Sequence, residues 1–215
     1  MENLDYSKEA VIYKNIFSSE EINKLINFYN SQPFTPMEDY HYRDKERKII
    51  KQKCKNPEYY PGIPPYKVLH KKLKNLIGDH TLNHGSYNDG YYPFGLHTDT
   101  NTTQSETHTL STVTKNIAVL IPLSQHESCK TIFFNFFADD FGKHTIIKND
   151  QSYEVDHSLY GHCSDWAEEK LKFLEVDKIF NWKLGDIATW PRNQVHCAGN
   201  FLGKIEYKSF ITLFV

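Results

Sequence analysis

The sequence predicts an α+β domain in which helices precede an antiparallel β-sandwich or barrel. Three observations carry this: two helical patterns end by Gly78, short β-branched and aromatic runs bounded by turn residues follow, and no repeat intervenes. The length of 215 residues suits one domain, with 1–80 as helical support and 81–215 as the strand-built core.

The elements follow in order. AVIYKNIF is apolar and β-branched and reads as a strand. Ser18-Ser19-Glu20-Glu21 then forms a capping box, with Phe17 and Ile22 at the staple positions. Ile22, Leu25, Ile26 and Tyr29 recur at helical spacing, so one face of this first helix packs inward. Residues 31–66 hold no sustained period and read as loops around an irregular strand or two. A second helix is expected from about Pro65 to Ile77, burying Val68, Leu69, Leu73, Leu76 and Ile77, with Gly78 as its stop. Beyond it TLNHGSYNDGYY, NIAVLIPL, TIFFNFF, DIATW and YKSFITLFV read as strands. A Thr/Ser/Asn-rich stretch after Asp99 and a longer connection over about 139–181 interrupt them, the latter with an expected helix at Ser164–Leu174.

Composition excludes several classes. A net charge of −2 announces no nucleic-acid partner, and no apolar run reaches the length of a membrane span. The first residues lack an apolar signal core, and Cys54, Cys129, Cys163 and Cys197 form no CxxC pair. Free thiols in a reducing cytoplasm are the expectation. One local excess stands out: residues 43–74 carry eleven Lys and Arg against three acids. A solvated face of helix and loop is the plainer account, and a docking surface for an anionic substrate or carrier the sharper one.

The chemistry is carried by His97-Thr98-Asp99. On a strand, residues two apart project from one face, so both side chains reach a common point. Two imidazoles and one carboxylate form the facial triad of non-haem Fe(II) sites, which leaves coordination positions open. An isolated HxD is weak, but its surroundings are ordered. Tyr87-x-x-Gly90 precedes it, Leu184-Gly185-Asp186-Ile187 reads as a turn into a strand, and Trp190, His196 and the strand Lys208–Val215 follow. His108, His144, His157 and His162 fall in connections and read as surface residues. Cys197, next to His196, should point away from a metal.

These four elements, in this order over about residues 82–215, resemble the Fe(II)/2-oxoglutarate-dependent dioxygenase superfamily, nearest its prolyl-hydroxylase-like branch. The resemblance implies a double-stranded β-helix core, jelly-roll or cupin-like, with the N-terminal helices packed on one sheet. It also implies Fe(II) held by His97, Asp99 and His196, with 2-oxoglutarate and O2 as co-substrates. Lys208 resembles the cation that pairs with the distal carboxylate of 2-oxoglutarate, with Tyr87 and Thr212 as hydroxyl donors. Lys204 is a rival, because the family usually spaces its basic residue closer to the distal His. Lys208 is preferred because it lies inside the strand pattern, whereas Lys204 follows a turn glycine.

The implied reaction is decarboxylation of 2-oxoglutarate to succinate, coupled to C–H hydroxylation of a small molecule such as an amino acid. Asp99 fills the position that related halogenases leave to halide, which favours hydroxylation or desaturation. Two other readings stay open: a peptidyl hydroxylase acting on a protein or carrier-bound substrate, and a non-catalytic cupin-like metal-binding protein. Trp190 reads as core or cofactor wall, Arg192 as a solvated loop residue, and 100–115 as a mobile lid.

Overall fold

The structure, a computed structural model, describes residues 9–33, 35–39, 49–55, 64–80, 84–99, 117–137, 145–148, 151–154 and 174–215. The elements run β1 (Val11–Tyr13), α1 (Ser19–Asn30), β2 (Thr35–Asp39), β3 (Ile49–Lys55), α2 (Pro64–Ile77), β4 (His84–Gly90) and β5 (Ile117–Pro122). They continue with β6 (Lys130–Phe137), β7 (Thr145–Lys148), β8 (Gln151–Glu154), β9 (Val176–Asn181), β10 (Ile187–Pro191), β11 (Gln194–Ala198) and β12 (Lys208–Phe214).

α1 starts where its cap dictates. The Ser18 hydroxyl accepts the Glu21 amide at 3.3 Å, and the Glu21 carboxylate accepts the Ser18 amide at 2.7 Å. Phe17 and Ile22 are both buried at the staple. α2 buries Leu69, Leu73 and Ile77, but Val68 is exposed, since it lies off the stripe that these three define.

A seven-stranded antiparallel sheet has the order β1-β10-β5-β12-β4-β3-β2, and a three-stranded antiparallel sheet the order β11-β6-β9. β7 and β8 form a separate hairpin. β2 and β3 supply the strands expected within 31–66, with one register shift. The sequence reading missed β9. Val176–Asn181 was counted within the 139–181 connection, yet it pairs with β6 as part of the smaller sheet. Its sequence VDKIFN places charged residues among apolar ones at an edge, so its hydrophobic signal is faint. The helix expected at Ser164–Leu174 lies outside the described residues, except Leu174, which is not helical.

Strand alternation divides the core in two. On one face of the large sheet, Tyr87, Ile117, Val119, Ile121, Ile187, Ile211 and Leu213 pack against Ile22, Leu25 and Tyr29 of α1 and Leu69, Leu73 and Ile77 of α2. On the other, Ala118, Leu120, Ala188, Trp190 and Phe210 face Phe133 and Phe180 of the small sheet, with Trp182 between. The helices therefore cover one sheet face, as expected, and the small sheet covers the other.

Candidate metal centre

Residues 94–99 lie against β11 of the small sheet. His97 and His196 form an antiparallel bridge, each amide donating to the other's carbonyl at 3.0 Å. The Asp99 amide then donates to the Arg192 carbonyl at 2.8 Å, extending the contact by one step. This brings His97, Asp99 and His196 together, with one donor atom from each within 4.8 Å of the others. His196 Nε2 lies 3.6 Å from Asp99 Oδ2, and His97 Nε2 lies 4.0 Å from Asp99 Oδ1.

Both imidazoles are oriented by the same local device. His97 Nδ1 meets the Gly95 carbonyl at 2.7 Å, and His196 Nδ1 meets the Gln194 carbonyl at 3.0 Å. A carbonyl only accepts, so each Nδ1 carries a proton, and each ring in its neutral form offers the Nε2 lone pair to the centre of the cluster. Burial holds the His196 imidazolium pKa down at about 4, against the help of that carbonyl, so the ring is neutral at physiological pH. Burial also pushes the Asp99 carboxyl upward, opposed by His97, Trp190 and Arg192. A divalent cation answers both effects, since it binds neutral imidazole and favours the carboxylate. Ligands about 2.1 Å from one ion at right angles stand about 3 Å apart, so small side-chain movements close the cluster on a metal. The donor set fits Fe(II), which nitrogen and oxygen ligands of this kind accept.

The inner face of β12 leads from a cation to this cluster. Lys208, Phe210, Thr212 and Phe214 share that face, opposite Gly90, Asn88, Ser86 and His84 of β4 in register. Lys208 is 2 % exposed, and its ammonium lies 4.1 Å from the centre of the Trp182 ring, with Phe201 and Phe210 further out. Among the described residues no carboxylate lies within ion-pair distance of it. Burial brings its pKa down to about 8. Lys204, the rival, is exposed in the turn before β12. Thr212 is half-buried two strand repeats along, and Phe214 lies under the Arg192 guanidinium at 4.8 Å.

Tyr87 requires a correction. It pairs with Ile211, not with Lys208, so it faces the helices: its ring stacks on Tyr29 at 4.8 Å and its hydroxyl donates to Asn30 Oδ1 at 3.4 Å. The reason is the period of two. Residues three apart on a strand project oppositely, so a Tyr-x-x-Gly whose Gly90 faces Lys208 turns its tyrosine away. Burial pushes the Tyr87 hydroxyl up to about 12. Ser86 and Asn88, joined by a 3.0 Å hydrogen bond, occupy the inner positions instead; sequence reasoning passed over them, though carrying alternation back from Gly90 would have found both.

Arg192 also differs from expectation. It is not solvated but half-buried, with Nε and Nη2 donating to the Asp99 carbonyl at 3.2 and 2.7 Å. Trp190 forms the wall expected of it and adds a bond, its indole N–H donating to Asp99 Oδ2 at 2.8 Å. Cys197 pairs with Ile132 while His196 pairs with Phe133, which puts the thiol on the face away from the imidazole. Residues 100–115 and His108, His144, His157 and His162 lie outside the described residues.

No protein-family model and no curated protein matches the sequence. Solved structures do match the fold. The non-heme alpha ketoglutarate dependent carbocyclase SnoK from nogalamycin biosynthesis aligns at TM-score 0.57 and 10 % identity, covering 97 % of this chain and 79 % of its own. EvdO2 from Micromonospora carbonacea var. aurantiaca, complexed with 2-oxoglutarate, aligns at 0.54 and 15 %, covering 97 % and 86 %. HygX from Streptomyces hygroscopicus, with nickel, 2-oxoglutarate and hygromycin B bound, aligns at 0.53 and 12 %, covering 96 % and 82 %. At such identities the likeness is one of architecture: the chain has the jelly-roll, double-stranded β-helix fold of the 2-oxoglutarate-dependent Fe(II) oxygenases.

Proposed function

We propose that this chain is an Fe(II)- and 2-oxoglutarate-dependent oxygenase that hydroxylates a small molecule such as an amino acid. The observation that carries this reading is the single wall running from Lys208 through Thr212 and Phe214 to Arg192 and Asp99, with His97 and His196 closing the far end. A fold alone hosts many functions; a buried cation and a two-His-one-Asp cluster on one interior wall are far more restrictive.

His97, Asp99 and His196 would hold the metal. Fe(II) bound there supplies the oxidative chemistry that couples conversion of 2-oxoglutarate and O2 to succinate and CO2 with insertion of oxygen into a substrate C–H bond. Lys208 would take the distal carboxylate of 2-oxoglutarate, its ammonium stabilised by the Trp182 face until the anion arrives. Thr212 would donate its hydroxyl to the same carboxylate. Phe94, Phe133 and Trp190, whose rings lie 5.0 to 6.0 Å from the imidazoles, exclude water from that end. The side chains of His97, Asp99 and His196 remain 16, 11 and 6 % exposed, so the cluster is reachable from outside.

The small-molecule substrate is supported by the hygromycin B bound to HygX, whose fold this chain shares. Anionic and carrier-bound substrates belong to the same reading, and the exposed Lys67, Lys71 and Lys74 of α2 are the described part of the basic stretch that suits them. No described helix is long and apolar enough to cross a membrane. Cys129 and Cys197 are buried free thiols, which suits the proposed cytoplasmic location.

Anaerobic addition of Fe(II) and then 2-oxoglutarate should produce a weak visible charge-transfer band. Succinate release over a panel of free amino acids and peptides then separates a small-molecule hydroxylase from a peptidyl one. A protein that develops no band under these conditions is not this enzyme, and the metal-binding cupin-like reading would take its place.

A further inference from the structure

We infer that Trp190 and Arg192 are positioning residues that fix the orientation of Asp99 between the two imidazoles. The inference rests on the proposed metal centre and concerns how the chain builds it.

The segment carrying His97 and Asp99 is not a strand. Its described backbone contacts with the small sheet are the bridge at His97 and the Ala198 amide donating to the Phe94 carbonyl, and neither fixes the Asp99 side chain. Four hydrogen bonds hold that residue, and all four are made with the two residues flanking Pro191. The Trp190 indole takes Oδ2 at 2.8 Å. The Arg192 guanidinium grips the Asp99 carbonyl through two nitrogens, and the Arg192 carbonyl accepts the Asp99 amide. Asp99 therefore has its amide, its carbonyl and one carboxylate oxygen engaged, and its carboxylate is set between the imidazoles, Oδ2 at 3.6 Å from His196 Nε2 and Oδ1 at 4.0 Å from His97 Nε2.

The clamp is itself held on both sides. The Trp190 ring packs against Phe133 at 5.2 Å and His196 at 5.0 Å, opposite the small Ala118 on β5. Arg192 rests on Phe214 of β12, the strand that begins with Lys208. Because β10 runs directly into the turn before β11, the same short stretch of chain sets both Asp99 and His196. Partners of this kind orient a ligand and raise the affinity of a metal site by about 10- to 100-fold.

The test uses the metal alone. Co(II) is titrated calorimetrically, without 2-oxoglutarate, into the wild type, Trp190→Phe and Arg192→Lys. Phenylalanine keeps the ring and removes the N–H; lysine keeps the charge and removes the fork. The expected result is a dissociation constant about 10- to 100-fold weaker in Trp190→Phe, a smaller loss in Arg192→Lys, and little change in the apo melting temperature. The Co(II) d–d spectrum of Trp190→Phe should also change, since the carboxylate loses the indole N–H that orients it; mere packing would leave it untouched. Should Trp190→Phe not fold, 15N-indole spectra of the wild type replace it. The Trp190 indole N–H signal, assigned by elimination with Trp166→Phe and Trp182→Phe, should shift on Zn(II) addition. Unchanged affinity and spectrum in both folded variants, or an indole signal indifferent to Zn(II), overturns the clamp alone. A wild type that binds neither Co(II) nor Zn(II) overturns the metal centre with it.

Discussion

The two faces of the large sheet come from the same strands and the same alternation, yet they differ in what they bury. Toward the helices β4, β5, β10 and β12 present Tyr87, Val119, Ile121, Ile187, Ile211 and Leu213, sealed by Leu25 and Leu73. Toward the small sheet the same strands present Ser86, Asn88, Thr212, Trp190 and the cation Lys208. The first face is closed mostly by apolar contact, and its buried carboxylate, Asp89, is satisfied by the Ser209 hydroxyl. The second keeps a buried ammonium and a cluster of two imidazoles and a carboxylate, groups that cost free energy to desolvate unless a ligand compensates them. Stability therefore belongs mainly to one side of the sheet and the proposed function to the other.

The largest expected effect breaks the site side only. His196→Ala should abolish detectable Co(II) binding and succinate formation while leaving far-UV circular dichroism unchanged, because the lost ring is a ligand rather than a helix-side contact. The converse is Leu73→Ala, which should cost about 2–5 kcal/mol in denaturant unfolding and leave the 2-oxoglutarate affinity of the folded protein intact. A large affinity loss there would show the two faces to be coupled.

Lys208→Met comes next. Removing a charged hydrogen-bond donor should weaken 2-oxoglutarate binding by about 1.5–3 kcal/mol in an anaerobic titration, without lowering stability, since a buried charge is replaced by an apolar chain. The pH dependence has a definite sign. With the ammonium pKa at about 8 in the folded protein, binding of the dianion should weaken as pH rises through that value, and Lys208→Arg should remove this limb. For stability the sign is opposite: the unfolded chain holds the proton up to its ordinary value, so this group favours folding increasingly above about pH 8. The smallest effects sharpen the comparison most. Thr212→Val should weaken 2-oxoglutarate binding by about 1 kcal/mol, whereas Tyr87→Phe should leave it unchanged and lower stability by about as much through its bond to Asn30.

Much was legible in the sequence because it is local. The capping box of α1, the stripe of α2 and five core strands follow from spacing over a few residues, and the Lys208–Thr212 pair follows from the period of two; the HxD pair was expected on a strand, but its segment carries only a bridge at His97. β9 escaped because an edge strand buries little and its pattern is correspondingly weak. Tyr87 was placed on the wrong side because the motif was matched by order, without asking which way a residue three positions from Gly90 must point.

What sequence determined by itself was the list of groups: two imidazoles, a carboxylate, a lysine on a strand and the helices that cover a sheet. Convergence was decided only in three dimensions, by a bridge between His97 and His196, residues nearly half the chain apart, and by Trp190 and Arg192 closing on Asp99. Spacing along a chain fixes direction within one strand. It carries no information about which distant strand will lie beside it, because that choice is made by the packing of whole sheets.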